Sequence, residues 1–135
     1  MNGVLFDSDV LIELLRVRNQ QFTSVFESLL AQSVPLFRCA VSAAEINHGS
    51  RESEAASIAA LMAFIRCLPV TCSAGDEAGN ILKRFRASHG VGLGDALIAA
   101  TAIKYRLVLW TRNRKHYPDP RIRFFEFEPT IIERG

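Results

Sequence analysis

The sequence contains few cysteines, no long apolar run and almost no excess of charge of either sign. Its three cysteines, Cys39, Cys67 and Cys72, lack C-x-x-C spacing, so they predict reduced thiols buried as small apolar side chains, not a disulfide framework or a zinc site. The longest apolar run, residues 96–103, is too short to cross a bilayer, and the first residues lack the basic segment of an export signal. We therefore expect a cytoplasmic protein without membrane contact.

The composition is that of a globular protein. The chain has 135 residues, of which 49% are hydrophobic and 22% charged, and this predicts a single domain over residues 1–135. The 16 Lys and Arg residues nearly cancel the 14 Asp and Glu residues, which leaves a net charge of +2. Net charge alone therefore predicts neither a nucleic-acid nor a membrane partner, and any basic surface has to come from local clustering.

Short apolar runs alternate with segments in which apolar residues recur every three or four positions. Such patterns predict strands and helices, respectively. Strands are predicted at residues 4–6, 36–41, 69–71, 107–110 and 123–127, and helices at 10–15, 22–30, from 42 onward, at 55–68, around 81–85 and at 96–105. Because the strand runs are unbroken and helices separate them, we predict an α/β protein, a three-layer α/β/α sandwich with a short, mostly parallel central sheet.

Three carboxylates lie at similar places in these predicted elements. Asp7 directly follows the first strand, Glu45 lies in the first turn of the helix after the second strand, and Asp95 opens the last long helix. In a parallel sheet the carboxyl ends of the strands and the amino ends of the following helices share one edge, where ligands bind. The three acids are therefore candidates for one site.

Helix capping is the other interpretation of the same residues. Ser42 and Glu45 have the Ser-x-x-Glu spacing of a capping box. Asp95 follows the segment Gly-Leu-Gly, as an N-cap or first-turn acid does, and Asp7 or Ser8 can cap the first helix. Capping explains each acid taken alone. It does not explain why all three fall on the edge where a binding site is expected, so both interpretations stay open.

If the carboxylates converge, they need a cation. Two carboxylates about 4 Å apart repel by roughly 4 kcal/mol at an effective dielectric constant near 20. Oxygen ligands select hard ions such as Mg²⁺ or Mn²⁺, which keep bound waters and accept substrate phosphate as a ligand. An acidic cluster at this edge therefore predicts hydrolysis of phosphodiester bonds with a metal-activated water.

Four segments in order along the chain resemble the motifs of the PIN-domain family. They are a strand ending in Asp-Ser-Asp at residues 4–9, Val-Ser-Ala-Ala-Glu at 41–45, Gly-Asp followed by an alanine-rich helix at 94–100, and Leu-Trp-Thr-Arg-Asn at 109–113, with the aromatic Tyr117 shortly after. The resemblance covers nearly the whole chain. The compact length of the chain is most similar to that of VapC toxins of VapBC toxin–antitoxin systems. The resemblance implies a PIN-like fold.

The resemblance also implies an activity and roles for individual residues. It implies an Mg²⁺- or Mn²⁺-dependent endoribonuclease, a toxin that acts as a homodimer on RNA and is inhibited by a VapB-like antitoxin. Carried over by position, Asp7, Glu45 and Asp95 hold the metal, Ser8 and Thr111 are orienting hydroxyls, and Asn113 takes a fourth catalytic position.

Position 113 departs from a fully acidic pattern. An Asn offers a carbonyl oxygen but no charge, so a second metal ion is held less tightly there, if at all. His116 is a further departure, since some relatives carry an acid nearby. Asp9 can supply part of the missing charge, and capping or solvent exposure explains it equally well.

The densest basic cluster follows the fourth predicted strand. Arg112, Arg114 and Lys115 lie just after that strand, where they can bind the phosphates that flank a cleaved bond in RNA. A solvated surface turn is the alternative explanation of such a run.

Two other classes of function remain to be compared with the nuclease. A non-catalytic, acid-lined PIN-fold module that binds or acts as a scaffold is consistent with the Asn at position 113. A receiver-like phosphoacceptor domain also places acids after its first strand, but it needs an acceptor Asp at the end of the third strand, and residues 71–73 contain none. The nuclease is the interpretation that we develop.

Overall fold

The fold is built on one sheet of five parallel strands. The structure, a computed structural model, describes residues 2–127; residues 128–135 of the predicted single domain lie outside that range. The strands are β1 Val4–Phe6, β2 Leu36–Cys39, β3 Arg66–Leu68, β4 Val108–Trp110 and β5 Arg123–Phe124. Their order is β3-β2-β1-β4-β5, and each neighbouring pair is parallel.

Six helices connect the strands within residues 2–127. They are α1 Ser8–Arg16, α2 Gln20–Ala31, α3 Ala40–Gly49, α4 Ala55–Met62, α5 Cys72–His89 and α6 Leu93–Tyr105, with 3-10 turns at Glu52–Glu54 and Arg114–His116. Within residues 2–127, every helix is too short or too polar to span a bilayer.

Two cores on opposite faces of the sheet confirm the three-layer architecture. The side chains of a strand alternate between faces, so in β1 Leu5 packs into a core with α5 and α6, whereas Val4 and Phe6 pack into a second core with α1 and α2. All three side chains are fully buried. The unbroken apolar run at residues 4–6 is thus the consequence of a strand covered on both faces.

Several predicted boundaries are wrong. The strand predicted at 69–71 is instead β3 at Arg66–Leu68, where it pairs with β2, and the helix predicted to reach residue 68 ends at Met62. Pro69 lacks the backbone N–H that a paired strand needs, so β3 ends before it. The last predicted strand, 123–127, is limited to Arg123–Phe124, and the strand predicted at 36–41 ends at Cys39.

Two predictions about local structure also need correction. α3 begins at Ala40, with Cys39 as its N-cap and no side-chain cap, so Ser42 and Glu45 do not form the predicted capping box. The cysteines are free, but only Cys39 is buried. Cys67 is exposed because β3 is an edge strand, and Cys72 is exposed because it opens α5.

Candidate active site at the carboxyl edge of the sheet

Asp7 lies at the end of the central strand and is held by two hydrogen bonds. Its Oδ1 accepts from the backbone N–H of Ser8 at 2.8 Å, which caps α1, and its Oδ2 accepts from the Thr111 hydroxyl at 2.7 Å. The side chain is buried, with 7% of the residue exposed. Asp7 therefore caps a helix and also faces the residue that follows β4, so the two interpretations of this acid are compatible.

Burial makes the charge on Asp7 costly. Burial raises the pKa of its carboxyl above the ordinary value, the hydrogen bonds from Thr111 and Ser8 lower it, and the negative charge of Asp95 raises it further. Of these effects, that of Asp95 is the smallest, and burial is the largest. Burial is therefore the main reason why a proton is lost less readily from Asp7 than from a free carboxyl.

Glu45 joins the same network through a serine. The Ser8 hydroxyl lies 2.9 Å from Oε1 of Glu45 and 2.8 Å from the Ser42 hydroxyl, which is fully buried. The first turn of α6 lies beside this group, because a Cβ added at Gly94 would be 3.7 Å from Glu45 Oε1. The Ser8 hydroxyl thus contacts Glu45, and Ser42 contacts Ser8; the orienting role of Ser8 stays a prediction.

Asp95 occupies the third position of α6 and is tied to the start of its own helix. Its Oδ2 accepts a hydrogen bond of 3.2 Å from the backbone N–H of Gly92 and lies 3.6 Å from Nδ1 of His116. Asp95 therefore caps its own helix with one of the hydrogen bonds that its carboxylate can accept. The contact with His116 links it to the loop after β4.

Asn113 lies between Thr111 and His116. Its backbone N–H donates to the Thr111 hydroxyl oxygen at 3.0 Å, and its side-chain amide donates to Nδ1 of His116 at 2.7 Å. Since the Thr111 hydroxyl donates to Asp7, hydrogen bonds lead from Asp7 through Thr111 and Asn113 to His116. An amide and an imidazole thus stand where the resemblance implies a fourth acid.

Two buried oxygens near the acids have no hydrogen-bond partner among the described residues. They are Asp9 Oδ1 and the Tyr117 hydroxyl. Burial and the charge of Asp7 raise the pKa of Asp9 to about 6, and burial followed by the charges of Asp7 and Asp95 raises the pKa of Tyr117. Neither oxygen belongs to a residue that the motifs place firmly in the site, although Asp9 lies only two residues after Asp7 in the sequence.

The donor set fits a hard cation, although the acids do not already form a closed cluster. Within residues 2–127, no three Asp, Glu, His or Cys side chains stand in an arrangement that could hold an ion by themselves. Glu45 joins the network through Ser8, and Asp95 lies beside His116. The available donors are oxygens, and two of them are buried without a partner. Oxygen donors of this kind are those that Mg²⁺ and Mn²⁺ prefer.

The basic residues after β4 differ in how they are held. The guanidinium of Arg112 donates to Glu13 on α1 at 2.9 Å and lies over the ring of Phe22. Arg114 forms an ion pair of 3.2 Å with Glu126 and lies over Phe124. Lys115 is exposed. All three remain partly open to solvent, so phosphate can reach them, but Arg112 also ties its loop to α1.

Comparisons with known proteins agree with the fold and the motifs. Ribonuclease VapC10 of Mycobacterium tuberculosis is 40% identical over 120 residues, which cover 85% of this chain and 86% of that protein. VapBC2 from Rickettsia felis, bound to a DNA fragment from its promoter, has a similar fold with a TM-score of 0.77 at 17% identity over 90% of this chain and 96% of that one.

A second solved structure has the same architecture, and a family model covers the whole motif region. DNA-bound VapBC from Salmonella typhimurium aligns with a TM-score of 0.73 at 21% identity, over 93% of this chain and 98% of that one. The family model described as PIN domain matches residues 4–118, which include Asp7, Glu45 and Asp95. The chain belongs to the PIN domain family.

Proposed function

We propose that this protein is a divalent-metal-dependent endoribonuclease and the toxin of a toxin–antitoxin pair. The observation that carries the proposal is the carboxylate of Asp7, buried at the end of the central strand, fixed by Thr111 and sharing its environment with the charge of Asp95. A curated relative with 40% identity is named a ribonuclease. Cytoplasmic localisation and a homodimer are part of the proposal.

Asp7 and Asp95, with Glu45, would hold Mg²⁺ or Mn²⁺. When bound, such an ion lowers the pKa of a coordinated water and neutralises charge that develops on the phosphate. Thr111 and Ser8 orient the carboxylates of Asp7 and Glu45, so that the oxygens are placed before the substrate arrives. The basic residues Arg112, Arg114 and Lys115 would bind phosphates on either side of the cleaved bond.

An antitoxin partner fits an uncovered apolar face near Glu45. Every residue of α4, Ala55–Met62, is at least partly exposed although the helix is rich in Ala, Leu and Ile. Two adjoining grooves of about 110 and 330 Å³ share Ile46 and Ile58, and the smaller one includes Glu45. A VapB-like segment lying in these grooves would cover apolar surface and reach the acids. The solved neighbours are VapBC complexes.

The experiment compares the parent protein with two variants and a control. Purified protein is incubated with structured RNA and Mg²⁺ or Mn²⁺, beside Asp7→Asn, Asp95→Asn and the exposed-surface control Asp76→Asn on α5. We expect both site variants to lose about 10³-fold or more in cleavage rate, because several kcal/mol of charge stabilisation disappear. The control should cleave at the parent rate, and a chelator should abolish all cleavage.

The alternative, a non-catalytic scaffold, predicts a different result. Parent, control and both variants would then be equally inert while RNA or a protein partner is still bound. Cleavage that survives both Asn substitutions, or that ignores the chelator, would contradict the proposed site. Size-exclusion chromatography of the parent tests the homodimer separately.

A further inference from the structure

A cleft of about 670 Å³ lies directly beside the proposed active site. Its lining includes Thr111, the residue that donates to Asp7, and the two arginines that follow it, Arg112 and Arg114. Four aromatic rings form its apolar part, contributed by Phe22, Trp110, Phe125 and Phe127. The cleft therefore begins at the catalytic edge and leads toward the end of the described chain. Its volume lies in the range of small-ligand pockets.

The aromatic rings of the cleft are packed together but not equally covered. Trp110 is almost fully buried and lies 5.4 Å from Phe22, 5.3 Å from Phe125 and 5.9 Å from Phe127, measured between ring centroids. Phe125 and Phe127 are only half-buried. Trp110 and Phe22 thus form a rigid floor, and the two C-terminal rings keep surface available for a flat ligand.

The charges of the cleft favour an anionic ligand. Two arginines and one carboxylate, Glu126, line it. The pair between Arg114 and Glu126 is exposed, with half of the arginine side chain and 75% of the glutamate side chain accessible, and such pairs contribute little to stability. A phosphate can therefore replace Glu126 as the partner of Arg114 with little loss of stability. Arg112 stays anchored on Glu13 with part of its guanidinium accessible.

We propose that this cleft binds one unpaired ribonucleotide that flanks the cleaved bond, with its base stacked on Phe125 and Phe127 and its phosphate on Arg114. The proposal rests on the ribonuclease function proposed above. Unstacked bases that lie on aromatic side chains are the usual means by which proteins bind single-stranded RNA, and each stacked base adds substantially to affinity. The acids and this subsite share Thr111, so a nucleotide held here places its neighbouring phosphate toward Asp7.

The test measures RNA binding without metal, so that it does not depend on cleavage. A labelled, short single-stranded RNA is titrated in the presence of EDTA against the parent, Phe127→Leu and the matched control Phe64→Leu, an exposed phenylalanine outside the cleft. Anisotropy gives the affinity, and the fluorescence of Trp110, the single tryptophan, reports occupancy of the cleft. We expect about tenfold weaker binding for Phe127→Leu and no change for Phe64→Leu.

An abasic residue moved along the RNA identifies the stacked base. At one position the parent should lose about tenfold in affinity, whereas Phe127→Leu should lose clearly less there, because one of the two stacking rings is already absent. Arg114→Ala should lower the dependence of affinity on salt by about one phosphate contact, while Arg86→Ala on α5 should not.

Three results would overturn the subsite. One is equal affinity of parent and Phe127→Leu, the second is an abasic penalty that is the same in both, and the third is a salt dependence that Arg114→Ala leaves unchanged. A parent that binds RNA through this cleft but cleaves nothing would contradict the ribonuclease proposal alone.

Discussion

Asn113 connects the two strongest metal-ligand candidates without adding charge. Its backbone binds the hydroxyl that holds Asp7, and its side-chain amide binds the imidazole that lies 3.6 Å from Asp95. A carboxylate at the same position would keep the acceptor oxygen and add a negative charge near the ion. We therefore expect Asn113 to limit the affinity for a cation at the proposed site.

The substitution Asn113→Asp tests this limit. We expect the apparent affinity for Mn²⁺ at low ionic strength to rise by about 5- to 10-fold, since a further charge a few ångströms away is worth roughly 1 kcal/mol or more. Isothermal titration calorimetry of the metal alone measures it. Asn80→Asp on the exposed side of α5 is the matched control, and an equal gain there would mean that only net charge matters.

At the scale of elements, the start of β1 depends on a glycine. Gly3 has a φ of +136°, and a Cβ there would lie 2.8 Å from the backbone oxygen of Pro35 and 2.7 Å from the ring of Phe37. The carbonyl of Pro35 accepts from Val4, so it cannot move away without loss of the first bond between β1 and β2. The close approach of these strands requires the absence of a side chain.

Gly3→Ala should therefore destabilise the fold. We expect a loss of about 1–3 kcal/mol in the free energy of unfolding, from backbone strain and the two contacts, measured by urea denaturation. Gly79→Ala, in the middle of α5 where an added Cβ would meet nothing within 4 Å except the helix's own backbone and the two neighbouring residues, should instead gain about 0.5–1 kcal/mol. Equal effects of the two substitutions would contradict the explanation.

The elements that the sequence predicts well are those whose apolar pattern is decided locally. Unbroken apolar runs, which indicate burial on both faces, predict the strands β1 and β4. Apolar residues at every third or fourth position, which indicate burial on one face, predict the helices α1 and α2. The boundary of β3 could not be predicted in this way, because pairing with Phe37 to Cys39 selects residues 66–68 over the equally apolar run after them. Strand register is a property of the neighbour as much as of the segment.

For the site, too, the sequence predicts the location of the residues but not their contacts. That Asp7, Glu45 and Asp95 share an edge follows from the order of parallel strands. The Ser8 bridge to Glu45 and the chain from Thr111 to His116 depend on side-chain conformations that no spacing encodes. The aromatic cleft is less predictable still, since Phe22 and Phe127 meet only in the folded chain.

At the scale of the whole molecule, a buried carboxylate fastens the segment before β5 to α5. Asp119 accepts hydrogen bonds of 2.9 Å from the backbone and 3.1 and 2.8 Å from the side chain of Arg121, and Arg121 also pairs with Glu77 on α5. The side-chain hydrogen bond from Arg121 holds the pKa of Asp119 below its usual range, against the opposing effect of burial. This network holds an edge strand in place.

The lowered pKa sets the sign of a pH effect on stability. Because Asp119 binds a proton less readily in the folded state than in the unfolded chain, its contribution is complete above the unfolded pKa, about 4, and is lost as the pH falls through the lower folded pKa. Asp119→Asn should therefore cost about 1 kcal/mol or more near neutral pH, and the difference from the parent should shrink below about pH 4.

Urea denaturation at a series of pH values measures this difference, with Asp76→Asn on the exposed face of α5 as the control. A control carboxylate without buried partners should leave the pH dependence of the parent almost unchanged, whereas removal of Asp119 should flatten its acid limb. If Asp119→Asn kept the full acid limb, the carboxylate would not differ between the folded and unfolded states, and the attachment of β5 would have to depend on the pair between Arg121 and Glu77 instead. Glu77→Gln separates these cases, because it removes the pair with Arg121 on α5 and leaves the hydrogen bonds between Arg121 and Asp119 in place, so a large loss of stability in this variant would assign the attachment of β5 to Glu77.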